Sequence, residues 1–186
     1  GGPPCQGFSA AGKRHRKNFI DDPRNYLFRD YINVIKHFDP DFFIMENVPG
    51  FLTMNNGEIF EEVSKTFSDS EIFKHGIYNL SYAVVNAYDV GVPQTRKRLI
   101  VCGTKKPSFN LQEKISEYVL QNNITRTTVW DAISDLDYLD IDEGAEISEY
   151  ILPANSDFQK NLRNENNLLY GHKSFTHKPE IVERIK

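Results

Sequence analysis

The fold class follows first from Phe42-Phe43-Ile44-Met45-Glu46-Asn47-Val48-Pro49. Four consecutive apolar residues that end at polar and turn-forming residues are typical of a strand buried in a parallel sheet. Glu46 comes directly after this run, and open α/β sheets place their functional sites at the carboxyl ends of their strands. The stretch therefore predicts an α/β fold and makes Glu46 a candidate catalytic residue.

Helical and strand patterns alternate on both sides of this run. Apolar residues recur at helical spacing in two segments. Three other segments are short and mostly apolar, as is typical of strands. In chain order these segments are 26–37 (helix), 42–45 (strand), 58–67 (helix), 78–87 (strand) and 99–103 (strand). Such alternation predicts a mostly parallel sheet with flanking helices.

The last third of the chain has weaker patterns. Helices are expected over residues 128–136 and 179–186, whereas residues 137–173 have little periodicity and many Asn and Asp residues and are expected to be irregular. We therefore divide the chain into a partial catalytic domain, residues 1–136, and a segment, residues 137–186, that is expected to begin a target-recognition region.

A cysteine stands in a loop near the start of the chain, in Gly2-Pro3-Pro4-Cys5-Gln6-Gly7-Phe8-Ser9. The prolines restrict the backbone on one side, and the glycines permit another molecule to approach closely. A thiol in this setting is presented to a partner instead of being packed in a core. Cys5 is therefore a candidate nucleophile.

A third segment, Gln94-Thr95-Arg96-Lys97-Arg98, leads into the apolar run 99–103. Because side chains alternate along a strand, Arg96 and Arg98 are expected on one face of the sheet. Each of the three segments alone is more often structural than functional. Their occurrence together, in this order, is a specific signal.

The ordered segments Pro-Cys-Gln, Glu-Asn-Val and Gln-x-Arg-x-Arg resemble the motifs of the DNA (cytosine-5) methyltransferase family. The resemblance is close over residues 1–103 and looser beyond them. It implies a Rossmann-like, S-adenosylmethionine-dependent methyltransferase fold. It also implies transfer of a methyl group to C5 of a cytosine in double-stranded DNA, in the manner of a bacterial modification enzyme.

The resemblance implies a role for each catalytic residue. The thiolate of Cys5 would add to C6 of the cytosine, which makes C5 able to accept a methyl group. Glu46 would donate a proton to N3 and contact the exocyclic amino group, Arg98 would contact O2, and Arg96 would brace the site. The base must leave the helical stack to reach these groups.

Further residues are expected to contact the substrate. The Pro3 carbonyl would accept a hydrogen bond from the cytosine amino group. Ser9 and Lys13 are expected to contact phosphates, since they belong to a small-residue and basic loop, residues 9–17. The remaining candidates for substrate contacts, by position in the motifs, are Gln6, Asn47 and Gln94.

Only part of a cofactor site is expected in this chain. By analogy, Gly2, Pro4 and Leu27 would contact S-adenosylmethionine, whereas the glycine-rich motif and the acidic residue that holds the ribose precede the cysteine loop in the family. The chain starts within that loop. We therefore expect the N-terminal cofactor-binding half to be absent and the isolated fragment to be inactive.

Composition narrows the class of protein. The 186 residues are 39% hydrophobic and carry 22 basic and 26 acidic side chains, which fits a globular domain more than a general nucleic-acid binder. Residues 1–106 hold 14 basic and 12 acidic residues, so the basic character accompanies the motifs. The two cysteines give neither a disulfide framework nor metal-ligand spacing. We expect a cytoplasmic protein with no metal and no membrane contact. The family resemblance implies a cognate restriction endonuclease as a partner.

Three alternatives remain at this stage. The first is an RNA (tRNA) cytosine-5 methyltransferase of the same fold, and the second is a non-catalytic DNA-binding module that keeps the motifs. The third, a cysteine hydrolase, needs a histidine base, and none of the five histidines has a context that suggests one.

Overall fold

The computed structural model describes residues 1–3, 26–163 and 167–185. In chain order its helices are α1 (Leu27–Phe38), α2 (Glu58–Phe67), α3 (Leu111–Gln121), α4 (Val129–Ile133), α5 (Asp157–Leu162) and α6 (Pro179–Ile185). Its strands are β1 (Phe42–Asn47), β2 (Asn79–Asn86), β3 (Lys97–Thr104), β4 (Gly144–Glu149) and β5 (Leu168–Lys173). None of the described helices is both long enough and apolar enough to cross a membrane.

The chain folds into two compact units. The first unit contains residues 1–91 and 95–125, and the second contains residues 92–94 and 126–186. The first unit includes the three-stranded sheet β1-β3-β2, and the second includes the two-stranded sheet β4-β5.

In the first unit, β3 lies between β1 and β2 and runs antiparallel to both. The outer strands β1 and β2 consequently run in the same direction, but both described ladders of this sheet are antiparallel, whereas the sequence predicts a mostly parallel sheet. β3 is reversed because it follows β2 after a short 3₁₀ turn (Ala87–Val90) and a loop, without a crossover helix.

Residues 1–3, here called the loop stem, extend this sheet beyond β1. The Gly1 amino group donates to the Ile44 carbonyl (2.9 Å), and the Glu46 amide donates to the Gly1 carbonyl (3.0 Å). Gly1 thus bonds to the residues on either side of Met45. This hydrogen-bond pattern is typical of parallel strands. The stem that leads to Cys5 thus runs beside β1 in the same direction.

One face of the sheet packs on α1 and α2. β1 alternates between exposed and buried residues, so that Phe43, Met45 and Asn47 point to this face. Phe67 of α2 contacts the Phe43 ring, with 4.5 Å between ring centroids. The buried apolar cluster contains Phe28, Ile32, Ile35, Phe43, Met45, Phe51, Ile59, Val63, Phe67, Phe73, Tyr78, Leu99 and Val101.

The opposite face of the sheet carries α3. The Leu111 amide, at the start of α3, donates to the Ser81 hydroxyl of β2 (2.8 Å). A cavity between this helix and the sheet is lined mostly by apolar residues, among them Val85, Ile100 and Ile115. The first unit therefore has helices on both faces of its sheet, which confirms the predicted α/β fold.

The second unit is stabilised by capped helices and buried polar contacts. Thr128 and Asp131 form a capping box at α4, in which the Thr128 amide donates to Asp131 Oδ2 (2.8 Å). Gln159 of α5 is 2% exposed; its Nε2 donates to Ser134 Oγ (2.8 Å), and its Oε1 accepts from the Asn155 amide (2.6 Å).

The segment expected to be irregular, residues 137–173, contains β4, α5 and β5. That expectation was wrong because buried polar residues such as Gln159 resemble surface residues in the sequence. β4 and β5 pair antiparallel from Gly144↔Lys173 to Glu149↔Leu168. The functional assignment of residues 137–186 to a target-recognition region stays a prediction.

Candidate active site

Glu46 and Arg98 meet at the carboxyl end of β1. Their strands pair so that Glu46 lies opposite Ile100, and Arg98 is two residues from Ile100 on the same face. Arg98 Nε lies 2.7 Å from Glu46 Oε1. The Glu46 side chain is 52% exposed and that of Arg98 is 24% exposed, so the carboxylate is accessible while the guanidinium is partly enclosed.

Arg96 lies one residue before β3 and is exposed. Its carbonyl accepts a hydrogen bond from the Ala87 amide (2.9 Å), which closes the connection between β2 and β3. Arg98 also donates through Nη1 to the Lys97 carbonyl (2.9 Å). Of the two arginines in the motif, Arg98 is the one that contacts Glu46.

The loop stem lies close against β1. A Cβ on Gly2 would be 2.4 Å from the Glu46 carbonyl oxygen, a distance that no side chain can occupy. Pro3 is buried, and its carbonyl accepts a hydrogen bond from Asn47 Nδ2 (3.2 Å). Glu46 and the chain leading to Cys5 are therefore joined through their backbones.

Asn47 has a different environment from the one its predicted substrate contact requires. Its side chain is 1% exposed, and besides the bond to Pro3 its Oδ1 accepts from the Val48 amide (2.9 Å). The alternation of β1 points Asn47 into the unit while Glu46 points out of it. Asn47 therefore holds the stem in place instead of facing the substrate.

Five predicted site residues lie outside the described residues: Pro4, Cys5, Gln6, Ser9 and Lys13. Gln94 is exposed and belongs to the second unit, where its amide donates to the Val92 carbonyl (2.7 Å). The structure brings together Pro3, Glu46, Asn47 and Arg98, with Gly2 packed against them.

Gly2 and Leu27 are the described residues that are predicted to contact S-adenosylmethionine. Leu27 is the first residue of α1 and is half-buried, which leaves part of its apolar side chain free for contact. Glycine is required at position 2 because a Cβ there would clash with the Glu46 carbonyl oxygen. Both residues fit a contact with part of the cofactor, through an apolar side chain and through backbone.

Another cluster of ionisable groups lies at the opposite end of β1 and β3. Asp39 Oδ1 is 2.5 Å from Lys105 Nζ, and Asp39 Oδ2 is 2.6 Å from His75 Nδ1. The hydrogen bond from Lys105 lowers the pKa of Asp39 to about 2, with smaller contributions from His75 and Tyr78. This cluster joins the end of α1 to the end of β3 and is remote from Glu46 along the strands.

Sequence reasoning missed the role of Tyr31. Its hydroxyl donates to the Ile44 carbonyl (3.1 Å), the same oxygen that accepts from the Gly1 amino group. Tyr31 follows Leu27 by four residues in α1, so both share one face of the helix. That spacing is the signal in the sequence that links Tyr31 to the site.

The arrangement combines a carboxylate, a fixed cation and a backbone carbonyl beside the entry to a cysteine loop. Glu46 can exchange a proton or accept hydrogen bonds, and Arg98 can stabilise negative charge on an oxygen. These described groups include both hydrogen-bond donors and acceptors, and a heterocyclic base carries matching acceptors and donors along its edge.

Comparison with known proteins identifies a matching family and several relatives. The family described as C-5 cytosine-specific DNA methylase matches residues 1–180. The type II methyltransferase M.DdeI of Desulfomicrobium norvegicum is 35% identical over 185 residues, which are 100% of this chain and 43% of that protein. The type II methyltransferase M1.HphI of Haemophilus parahaemolyticus is 47% identical over 105 residues, 56% of this chain and 26% of that protein. The chain thus spans less than half the length of these relatives.

A solved structure shows the same fold. It comes from E. coli, and its description is that of an inferred DNA modification methyltransferase encoded within a prophage. It superposes with a TM-score of 0.66 and 24% identity over 99% of this chain and 53% of that one. The predicted methyltransferase fold is therefore confirmed, with this chain forming part of it.

Proposed function

The chain belongs to the C-5 cytosine-specific DNA methylase family, and on this premise we propose that it is the catalytic part of a DNA (cytosine-5) methyltransferase. The observation that carries the proposal is the contact between Glu46 and Arg98 beside the stem of the cysteine loop. The substrate would be a cytosine turned out of double-stranded DNA.

In the proposed reaction, the Cys5 thiolate adds to C6 of the cytosine, and the electron pair moves towards N3 and O2. Glu46 donates a proton at N3, and Arg98 stabilises the charge at O2. C5 then attacks the methyl group as the bond between that group and the sulfur of its donor breaks. Loss of the C5 proton to a base such as water expels the Cys5 thiolate, and return of the N3 proton to Glu46 restores the neutral aromatic ring. The 2.7 Å contact supports this assignment because it brings a proton-exchanging group and a fixed cation to one edge of the sheet.

The Pro3 carbonyl is proposed to accept a hydrogen bond from the cytosine amino group, which thymine lacks. A carbonyl oxygen has two lone pairs, and Asn47 Nδ2 uses one of them. We propose that the second lone pair accepts from the base. Asn47 would thereby fix the direction of the carbonyl without touching the substrate itself.

S-adenosylmethionine is proposed as the cofactor and supplies an electrophilic methyl group when bound. Leu27 and the backbone of Gly2 would contribute contacts to it, as would Pro4. Because the chain spans 43% of M.DdeI, we propose that residues 1–186 alone neither bind the cofactor tightly nor turn over. Calorimetric titration with S-adenosylhomocysteine tests this point, and micromolar binding by the 186-residue chain would contradict it.

The wider setting of the enzyme is also a proposal. The relatives are named type II methyltransferases, which supports a modification enzyme of bacterial type with a cognate restriction endonuclease as partner. An enzyme that acts on genomic DNA would work in the cytoplasm of such a cell. Residues 137–186 would begin its target-recognition region.

Methylation assays with the full-length enzyme test the proposed function. We expect transfer of labelled methyl groups to duplex DNA and none to tRNA, whereas the reverse would favour the RNA methyltransferase alternative. Cys5→Ser should abolish transfer and leave DNA binding intact, because a hydroxyl is far less acidic than a thiol. Unchanged transfer by this variant would contradict the covalent mechanism.

A further inference from the structure

Tyr31 links helix α1 to the point where the loop stem pairs with β1. Its hydroxyl donates to the Ile44 carbonyl at 3.1 Å, and the Gly1 amino group donates to the same oxygen at 2.9 Å. Both lone pairs of that carbonyl are thus occupied. A shift of the Tyr31 hydroxyl would therefore disturb the oxygen that holds the stem.

The Tyr31 ring also limits where the stem can lie. A Cβ on Gly1 would be 3.4 Å from Tyr31 Cε2, so the backbone of Gly1 runs along the ring. On its other side the ring meets Phe43 of the buried cluster edge-on, with centroids 6.1 Å apart. Burial raises the pKa of Tyr31 to about 12, so the hydroxyl keeps its proton and donates at neutral pH.

The position of Tyr31 connects two parts of the proposed site. Leu27, four residues earlier on the same helix face, is a proposed cofactor contact. The stem on the other side leads within two residues of Pro3 to Cys5. Tyr31 of α1 and the loop stem both bond to the Ile44 carbonyl. The distance between α1 and the stem therefore depends on the hydrogen bond from Tyr31 to Ile44.

We propose that Tyr31 is a positioning residue for methyl transfer, because it fixes the stem of the nucleophile loop relative to the helix face that carries Leu27. The role rests on the proposed function. It does not require Tyr31 to touch either substrate. A misplacement of reacting groups by a fraction of an ångström lowers the rate of the chemical step while leaving binding largely intact.

The test is Tyr31→Phe in the full-length enzyme, which removes the hydroxyl and keeps the ring. We expect the single-turnover rate of methyl transfer, at saturating duplex DNA and S-adenosylmethionine, to fall about five- to tenfold, as loss of one hydrogen bond predicts. The dissociation constant for DNA should change by less than about twofold, because contacts to DNA are unaltered.

A second readout does not depend on activity. The Glu46 amide donates to Gly1, so loosening of the stem in Tyr31→Phe should speed its hydrogen exchange. The matched control is Tyr118→Phe, which removes a hydroxyl from a tyrosine of α3 that is 61% exposed. This control should change neither the rate nor the exchange of Glu46.

The outcomes separate the two proposals. If the unaltered enzyme methylates DNA and Tyr31→Phe has the same rate, or if Tyr118→Phe lowers the rate equally, the positioning role of Tyr31 is wrong. If the unaltered enzyme transfers no methyl group to DNA, the proposed function is wrong. Exchange at Glu46 that Tyr31→Phe leaves unchanged would overturn the structural role of Tyr31 whatever the activity.

Discussion

The two units of the chain differ in the interactions that stabilise the interior of each one. The first unit has an extended cluster of buried apolar and aromatic side chains between its sheet and α1 and α2. In the second unit, the buried groups include Gln159, Ser134 and Asp135, whose carboxylate pairs with Arg163 at 2.8 Å. An apolar core stabilises without directional demands, whereas a buried polar network stabilises only while every partner is present.

This difference bears on function, because the Glu46–Arg98 contact lies on the sheet that the apolar core supports. A rigid support fixes the geometry of a site more precisely than a loop does. We therefore expect catalysis to depend on the first unit and to be insensitive to carboxylates of the second.

The largest expected effect is on catalysis, from Glu46→Gln. The amide keeps the shape of the side chain but cannot donate an acidic proton or pair with the charge of Arg98. We expect kcat of the full-length enzyme to fall about 10²- to 10⁴-fold, with DNA affinity changed by less than about threefold. Steady-state kinetics and DNA-binding titrations measure both quantities.

Two controls isolate this effect. Glu62→Gln removes the partner of Arg29 from a comparable ion pair (2.8 Å) elsewhere in the first unit, and Glu146→Gln alters an exposed carboxylate of the second. Neither should change kcat. A normal kcat with only a raised KM in Glu46→Gln would show that Glu46 binds DNA and takes no part in the chemical step.

Next in size is the loss of an aromatic side chain from the core of the first unit. Phe67 is 0% exposed and contacts Phe43, Phe73 and Tyr78. Phe67→Ala should lower the free energy of unfolding of that unit by about 3–5 kcal/mol, because it leaves a cavity. Hydrogen exchange of the β1 and β3 amides, compared with those of β4, measures the effect in each unit.

If Phe67→Ala speeds hydrogen exchange in β4 as much as in β1, the apolar core does not stabilise the first unit separately from the second. Phe38→Ala is the matched control, since Phe38 is 74% exposed at the end of α1. Its effect should stay within about 0.5 kcal/mol.

A smaller loss is expected from the polar network of the second unit. Gln159→Leu keeps the side-chain volume but leaves Ser134 Oγ and the Asn155 amide without their partner. The free energy of unfolding of this unit should fall by about 1–3 kcal/mol. Hydrogen exchange of the β4 and β5 amides measures it, with the exposed Gln112→Leu of α3 as control.

An unchanged stability in Gln159→Leu would mean that the second unit, like the first, depends on apolar burial. The two units would then differ in composition but not in the source of their stability.

The smallest expected effect concerns acid stability. The folded pKa of Asp39 is about 2, below its ordinary value of 3.8, chiefly because Lys105 donates to it. A depressed folded pKa contributes stability above the unfolded pKa, and this contribution is lost as the pH falls through the folded value. Between about pH 4 and pH 2, Asp39→Asn should therefore lose less stability than the unaltered chain.

Urea unfolding at several pH values in this window measures the difference. Asp30→Asn, an exposed residue in the first turn of α1, serves as control and should keep the steeper pH dependence of the unaltered chain. If Asp39→Asn keeps that steep dependence too, the pairing of Asp39 with Lys105 is not the cause.

The sequence was sufficient to predict α1, β1, α2, β2 and β3 of the first unit, because apolar periodicity marks them directly, but it gave no prediction of α3. The predicted helix over 58–67 coincides with α2, and the predicted strand over 42–45 lies within β1. It failed for β4, α5 and β5. Their buried positions include polar residues such as Gln159, and polar side chains mark the surface in pattern-based reasoning.

The candidate site shows the same limit. The contact between Glu46 and Arg98 was expected, because each residue belongs to a motif and the expected chemistry requires the two side chains to lie close together. The bonds of Asn47 to Pro3 and of Tyr31 to Ile44 were not expected, because their acceptors are backbone carbonyls. Every residue has such a carbonyl, so composition and spacing cannot identify the one that is used.

The most direct test of the central claim is covalent trapping on duplex DNA that carries 5-fluorocytosine, with the full-length enzyme and S-adenosylmethionine. Fluorine blocks the final loss of the C5 substituent, so a working nucleophile remains attached to C6. The account predicts one stable adduct per chain, located at Cys5 by peptide mapping and absent from Cys5→Ser. Absence of an adduct in the unaltered enzyme, or its persistence in Cys5→Ser, would contradict the account.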